Sequence, residues 1–457
     1  MKNAGSAERC RQQKRRSTAP DKDRQAAEQD RQRDHCLGQR QLRCPEVIQG
    51  AGDGCTDEGD RHEIACTPGE GETQQGDHDQ KGKVVDADDR MTEAGLEATM
   101  DGVGNVFGRS PNPGRGILIG SHTDTQPQGG WLDGSLGVIY GLEIARSCAE
   151  DRRTAHFAVD VASWSDEEGT YLGMLGSRSF CDILSRDDME RAQNHLTAQP
   201  LSAALEQAGL TGMPTTALDP ERYVAYLEAH VEQGPHLEAQ GNLLGVVTAI
   251  VGIRTYRLTF KGQQNHAGTT PMEYRKDAGI ALIELVHDIN RKFSTLAGPR
   301  TVWTIGYVHL EPGSPSVVPG RAEMLLQFRD TDDKILDALE SKTIRIVEEA
   351  HKKGPVDIDL AAVPPQCETT GMDETVQDCL AAAAETHAPG RWIHMPSGAG
   401  HDAQVLAQRL PAGMLFVPSI GGISHDIAED TAEEDIVRGC RALATATETL
   451  LRHPNPV

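Results

Sequence analysis

The spacing of apolar residues changes several times between residue 86 and the C-terminus, and each change predicts an element. A helix end over 91–95 leads to a strand through 103–107. In GRGILIGSHTDT, Ile117, Leu118 and Ile119 form a short unbroken apolar run that stops at Gly120, as a buried strand does. Past GSLG, Val138, Leu142, Ala145 and Ala149 return at helical spacing, and HFAVDVASW is again strand-like. Strand, helix, strand in succession predicts an α/β sheet, where ligands gather beyond the carboxyl ends of the strands.

The middle of the chain has a different rhythm. Tyr256, Leu258 and Phe260 alternate with Arg257, Thr259 and Lys261, the period of a strand with one buried face. Ala278, Leu282, Leu285, Ile289 and Phe293 then mark one face of a helix. Strands are expected at 302–310 and 322–330, a helix at about 332–353 and a strand at 356–360. The order βαββαβ is that of a small ferredoxin-like domain. Helix and strand patterns resume after it, with 414–417 extended and Ile436, Cys440, Leu443, Thr447 and Leu450 along a closing helix. The expected organisation is an α/β domain formed by residues 86–246 and 363–457, interrupted by the smaller domain at 247–362.

Composition separates the first 85 residues from this pattern. Phe107 is the first aromatic residue, and five of the ten cysteines (Cys10, Cys36, Cys44, Cys55, Cys66) precede it. A segment so poor in apolar side chains cannot offset its chain entropy, so residues 1–85 read as disordered or as an aberrant, out-of-frame translation. The cysteines show no paired spacing, which argues against a disulfide framework and a thiolate zinc site. A formal charge of −24 argues against nucleic acid and anionic membranes as partners. No segment reaches the ~18 consecutive apolar residues of a membrane helix, and the basic start has no apolar stretch behind it; the expected compartment is the cytoplasm.

The candidate chemistry sits where strands end. SWSDEEG places Asp166, Glu167 and Glu168 side by side after a strand, where mutual repulsion needs a counter-charge or a helix N-terminus. His122 and Asp124 follow GILIGS, Asp133 lies in WLDGSLG, His230 in YLEAHVEQGP and His425 in GGISHDIAED. Asp124 is placed to accept the second imidazole NH of His122 and fix its tautomer. Asp133 alone also reads as an ordinary helix N-cap. Two divalent cations would make the crowded carboxylates favourable, and the mixed imidazole and carboxylate set suits zinc first, with manganese, cobalt or nickel as alternatives.

GSHTDTQPQGGWLDGSLGV, SWSDEEG, EAHVEQGP, NHAGTTPM, SGAGHDA and GGISHDIAED, in this order, closely resemble the hydantoinase/carbamoylase branch of the M20-type amidohydrolases. The branch contains N-carbamoyl-L-amino acid hydrolases, allantoate amidohydrolases and β-ureidopropionases. The resemblance implies a metallopeptidase-like catalytic domain with a mixed sheet, and an inserted domain serving as lid and homodimer contact. It implies that His122 and His230 bind one metal, Glu168 and His425 the other, that Asp133 bridges them, and that Glu167 is the general base. His266, otherwise a surface-loop histidine, would stabilise the oxyanion. Arg329 would grip the carboxylate of a small anionic ureido substrate, although a salt bridge to Asp330 or Asp332 explains it equally well. Gln233 would contact substrate, and His401 would contact ligand or support its loop. Ser316 stands where relatives usually carry asparagine, and a hydroxyl offers less hydrogen bonding than a carboxamide. The implied reaction is hydrolysis of the carbamoyl amide of N-carbamoyl-L-amino acids or a related small ureido acid to an amine, ammonia and carbon dioxide, with allantoate amidohydrolase as the first alternative and β-ureidopropionase, an M20-type peptidase or a non-catalytic binding protein behind it.

Overall fold

Residues 89–363 and 366–452 are described in this computed structural model; the disordered or out-of-frame segment expected at 1–85 lies outside the described residues. The first stretch of chain supplies β1 (Glu97–Met100), β2 (Val106–Arg109), β3 (Gly116–His122), β4 (Val159–Trp164), β5 (Tyr223–Val231) and β6 (Leu244–Ile250). Next come β7 (Gly252–Lys261), the short β8 (Asn265–His266), β9 (Val302–Glu311), the short β10 (Val317–Val318), β11 (Arg321–Asp330) and β12 (Asp357–Ala362). β13 (Thr370–Gly371), β14 (Trp392–Ser397) and β15 (Ala412–Val417) then return to the first sheet.

That larger sheet runs β1-β2-β4-β3-β5-β15-β6, with β13 and β14 both paired to β6. Its centre, β4, β3, β5 and β15, is parallel, while β1, β2 and β6 enter antiparallel. Every residue of the four central strands is buried, as expected where helices cover both faces of a parallel sheet. The strand pleat sends Ile117 and Ile119 toward the helices Ser135–Glu150 and Glu433–Arg452. Leu118 faces the opposite core, with Trp164, Tyr226 and Phe416. This is a mixed α/β sheet flanked by helices.

Two expectations need correction. The strand expected from Val103 begins only at Val106, because the Asp101 carboxylate accepts from the amides of Val103 and Asn105 (3.0 Å each) and closes a turn. That turn joins β1 and β2 into a hairpin. The inserted segment, expected to start at 247, starts later: Val247 lies in β6 opposite Met395, and the chain crosses between sheets at Val251. The apolar run of β6 passes into β7 with only Val251 between the two strands, so no polar or turn residue lies between them to mark the crossing.

The second sheet has the order β12-β7-β11-β9, antiparallel throughout. The helices Ala278–Phe293 and Asp333–Lys353 lie between its strands in sequence, giving βαββαβ. The residues read from periodicity, Tyr256, Leu258, Phe260, Leu282, Leu285, Ile289, Phe293, Met324, Leu326 and Phe328, share one core. Asp277 starts the first helix by accepting from the amides of Gly279 and Ile280. β8 and β10 form a separate ribbon in which Val317 faces His266. No helix among the described residues is long and apolar enough to cross a membrane.

Candidate metal centre

Four central strands point their carboxyl ends at one place, and chemistry-bearing side chains collect there. His122 is the last residue of β3, and His230 is the penultimate residue of β5. Glu167 and Glu168 occupy the turn after β4, Asp133 precedes the helix Ser135–Glu150, and His425 follows β15. Two groups result, His122 with Asp133 and His230, and Asp133 with Glu168 and His425; within each, one ligand atom per residue lies within 4.8 Å of the others. Asp133 belongs to both. Its Oδ1 is 3.2 Å from His230 Nε2 and 3.8 Å from His122 Nε2, and its Oδ2 is 3.2 Å from His425 Nε2. Glu168 Oε1 is 3.9 Å from the same His425 nitrogen.

Local structure explains the convergence. Asp133 does not cap the helix that follows: the N-cap is Gly134, without a side-chain hydrogen bond. Gly134 has φ 69°, and a Cβ there would come within 2.4 Å of the His122 ring, so only glycine lets this turn pass the imidazole. The Asp133 amide donates to the buried Glu429 carboxylate (2.9 Å), leaving the Asp133 carboxylate free to face the histidines. Asp166, Gln233 and His425 all take positive φ, backbone conformations that tend to persist at functional sites. The Gln233 amide donates to Ser419 Oγ (3.1 Å), which ties the turn after β5 to the loop bearing His425.

The histidine tautomers suit metal binding. His122 Nδ1 lies 2.8 Å from the backbone oxygen of Asp124, and His230 Nδ1 lies 2.9 Å from that of Val231. In a neutral ring each Nδ1–H would donate to that carbonyl and leave Nε2 as the ligand atom facing the cluster; the Gly134 amide lies 3.1 Å from His230 Nε2 and donates to it here. Asp124 thus orients His122, but through its carbonyl: its carboxylate stands 3.6 Å away and instead accepts from the Glu168 amide (3.1 Å). Loop curvature turns the carboxylate to the neighbouring strand end, a detail that two-residue spacing does not disclose.

The cluster's electrostatics favour a positive charge among the carboxylates. Burial disfavours the charged form of His122, yet Glu167, Asp124 and Asp133 overcome it and hold the pKa well above the imidazole value. Burial pushes Glu167 well above the usual carboxylate range; His122 opposes this, and Asp402 and Glu168 add to it. Asp133 goes the other way: burial raises it, but hydrogen bonds to His230 and His425 hold it far below the carboxylate range. Its Oδ2 is buried without a well-formed hydrogen bond, and a cation would satisfy it. The donor set, imidazole nitrogen with carboxylate oxygen, fits a divalent metal.

The other expected residues are distributed more loosely. Gln233 Nε2 lies 3.2 Å from Asp133 Oδ1 and 3.3 Å from His425 Nε2, at the rim of the cluster. His401 is buried, with Nε2 2.8 Å from Ser397 Oγ and its ring edge-on to His230 at 4.6 Å, so it stands behind the cluster as support. His266 is exposed, and its Nδ1 accepts from the amides of Gly268 (3.0 Å) and Thr269 (3.2 Å). Its proton therefore sits on Nε2, ready to donate. Ser316 is exposed beside it, its carbonyl accepting from the Ala267 amide. No hydrogen bond or ion pair among the described residues joins His266 or Ser316 to the metal-ligand groups. Arg329 makes neither expected salt bridge: Nε donates to Gln327 (2.9 Å) and Nη1 to the Gly398 carbonyl (3.0 Å). Asp330 and Asp332 are turned away to Thr301 and to the Lys334 amide. Burial lowers the Arg329 pKa, and no carboxylate pairs with it among the described residues.

Three supporting residues went unread in the sequence. Glu228 is fully buried and accepts from Ser121 Oγ (2.9 Å), Tyr226 OH (3.1 Å) and the Ala403 amide (2.8 Å), clamping β3 to β5 beneath both histidines. Its spacing two residues before His230 on a strand was the available signal. Glu429 and Gln126 lie in loops, where periodicity carries no information.

A mixed α/β sheet carries, at its strand ends, two side-chain groups that could each hold a metal ion and that share one aspartate, an arrangement suited to a hydrolase. The chain belongs to peptidase family M20/M25/M40, whose signature matches residues 118–449. It is 35% identical over 365 residues to an allantoate amidohydrolase of Escherichia coli (78% of this chain, 87% of the relative). It is 34% identical over 360 residues to an N-carbamoyl-L-amino acid amidohydrolase of Geobacillus stearothermophilus (77% and 87%). Among solved structures, an amidase of the hydantoinase/carbamoylase family from Burkholderia phymatum superposes with a TM-score of 0.74 at 52% identity, covering 82% of this chain and 91% of that one. The resemblance read from the six motifs is thus met, and the chain is an amidohydrolase of this branch.

Proposed function

We propose that the protein hydrolyses the carbamoyl C–N bond of N-carbamoyl-L-amino acids or a related small ureido acid. The observation that carries the reading is Asp133 set between two ligand groups, with Glu167 Oε2 3.6 Å from His122 Nε2. His122, His230 and Asp133 would hold one divalent ion, and Asp133, Glu168 and His425 a second, zinc before manganese, cobalt or nickel. When bound, the two ions would acidify a water and polarise the carbamoyl carbonyl.

The chain's own groups do the rest. Glu167, starting as the carboxylate, takes the proton of the attacking water and passes it to the leaving nitrogen; burial raises its proton affinity above that of an ordinary carboxylate, which suits a base. His266 donates its Nε2–H to the carbonyl oxygen as negative charge develops there, which requires its ribbon to close on the strand ends. The unpaired Arg329 guanidinium takes the substrate carboxylate in place of the Gly398 carbonyl. Gln233 contacts substrate from the rim, and the short side chain of Ser316 leaves room that a carboxamide would fill.

Allantoate is the second reading, supported by the 35% identical relative named for that activity. A homodimer through the small sheet is supported by exposed Val302, Tyr307, Val308 and Leu310 on its edge strand β9 and by Ile280 and Ile283 on the adjoining helix. Five free cysteines among the described residues suit a reducing compartment such as the cytoplasm. The test is turnover by zinc- or manganese-loaded protein, followed as ammonia release from N-carbamoyl-L-amino acids, allantoate and β-ureidopropionate and as free amino acid released from dipeptides. The highest kcat/KM is expected on an N-carbamoyl-L-amino acid; cleavage of dipeptides alone would overturn the proposal.

A further inference from the structure

Gln126, in the loop between β3 and the helix Ser135–Glu150, touches Glu168 three times. Its backbone amide donates to Glu168 Oε1 (3.2 Å), and its carboxamide Nε2 donates to Oε2 (2.8 Å) and to the Glu168 carbonyl (3.3 Å). The Glu168 amide donates back to Asp124 in the same loop. Glu167 is treated differently: no hydrogen bond reaches its carboxylate among the described residues, and its nearest charged neighbour is His122. One loop therefore fixes one glutamate of the pair and leaves the other free to move a proton.

A carboxylate offers about four lone-pair positions. Gln126 occupies one on each oxygen of Glu168, and the remainder of Oε1 faces His425 Nε2 and the Asp133 side of the cluster. The donor is a neutral amide. An arginine or lysine at 126 would fix the carboxylate as firmly, but its charge would repel a cation; a carboxamide orients Glu168 and leaves its negative charge available.

We infer that Gln126 is the positioning residue that makes Glu168, and not Glu167, the carboxylate of the second metal group, and that this group needs it to hold a divalent cation. The inference rests on the two-metal reading of the site. Gln126 is half-buried and belongs to no hydrophobic core, so it can be replaced without unfolding the sheet. Gln126→Met keeps its length and removes the carboxamide donor while the backbone amide stays; Gln126→Glu keeps its shape and sets a second anion against Glu168.

The experiment titrates metal-free full-length parent and both variants with Zn²⁺, counts bound ions by elemental analysis after dialysis, and compares metal-free melting temperatures. The parent is expected to bind two ions. Both variants should keep the first at parental affinity and bind the second about 10–100-fold more weakly, Gln126→Glu worst, with unchanged melting. Two ions at parental affinity in both variants would overturn the role of Gln126, as would equal weakening of both sites. A parent that binds fewer than two ions would overturn the two-metal reading with it.

Discussion

The two halves of the proposed site differ in how far the protein builds them in advance. At the strand ends of the large sheet, His122, Asp133 and His230 are buried, their tautomers and rotamers set by backbone carbonyls, Glu429 and Glu228. On the small sheet and its ribbon, His266 and Ser316 are exposed, and Arg329 is tied across only to the Gly398 carbonyl. The groups that manage charge are preassembled, because burying several carboxylates is tolerable only in fixed, mutually compensating geometry. The groups proposed to grip substrate are left open.

Substitutions should therefore behave differently in the two halves. The largest effect is expected from Asp133→Ala, which removes the atom common to both ligand groups: elemental analysis should find both ions lost and turnover at background. Retention of one ion would break the claim that Asp133 is shared. Next, Glu167→Gln should lower kcat by about 10²–10⁴-fold with metal content unchanged, the cost of losing a general base. If it loses metal instead, Glu167 is a ligand and the division of labour between the glutamates is wrong.

Arg329→Ala should raise KM by about 10–100-fold, the worth of a charge-assisted contact, while metal content and melting temperature stay at parental values. A substantial drop in melting temperature would instead make Arg329 a strut between the sheets. The smallest effect concerns Asp166. Burial, against the hydrogen bond from the Leu172 amide, pushes its carboxyl up to about 7. Its folded pKa lies above the unfolded value, so its contribution is full below the unfolded carboxylate range and is lost as pH rises through about 7. Asparagine tolerates the φ of 53° and can accept from Tyr171 and Leu172 as the aspartate does. Metal-free Asp166→Asn should accordingly melt above the parent at about pH 8 and with it near pH 4; parallel melting curves across that range would contradict the assignment.

The comparison also accounts for what the sequence made legible. Elements with a buried face announced themselves: Tyr256, Leu258 and Phe260, or Ile436, Cys440 and Leu443, occupy the positions that their spacing implied. His122, Glu167, Glu168 and His230 were recognisable because each ends or follows an apolar run, where a strand must stop; Asp133 and His425 lie in loops and were recognisable through the motifs around them. The supporting atoms were not. That the Asp124 carbonyl orients His122, that Gly134 replaces Asp133 at the N-cap, and that Gln126 holds Glu168 all depend on loop dihedrals. The salt bridge expected of Arg329 failed for a related reason. Residues adjacent on a strand point to opposite faces, so Asp330 turns from Arg329, and Asp332 is occupied with the Lys334 amide at the next helix.

The central claim, that one aspartate joins two cation sites, is tested most directly by anomalous diffraction from crystals of the zinc-loaded protein. Two peaks are expected about 3.5–4 Å apart with Asp133 between them, one against His122 and His230 and the other against Glu168 and His425. A single peak, or ions bound away from Asp133, would contradict the account.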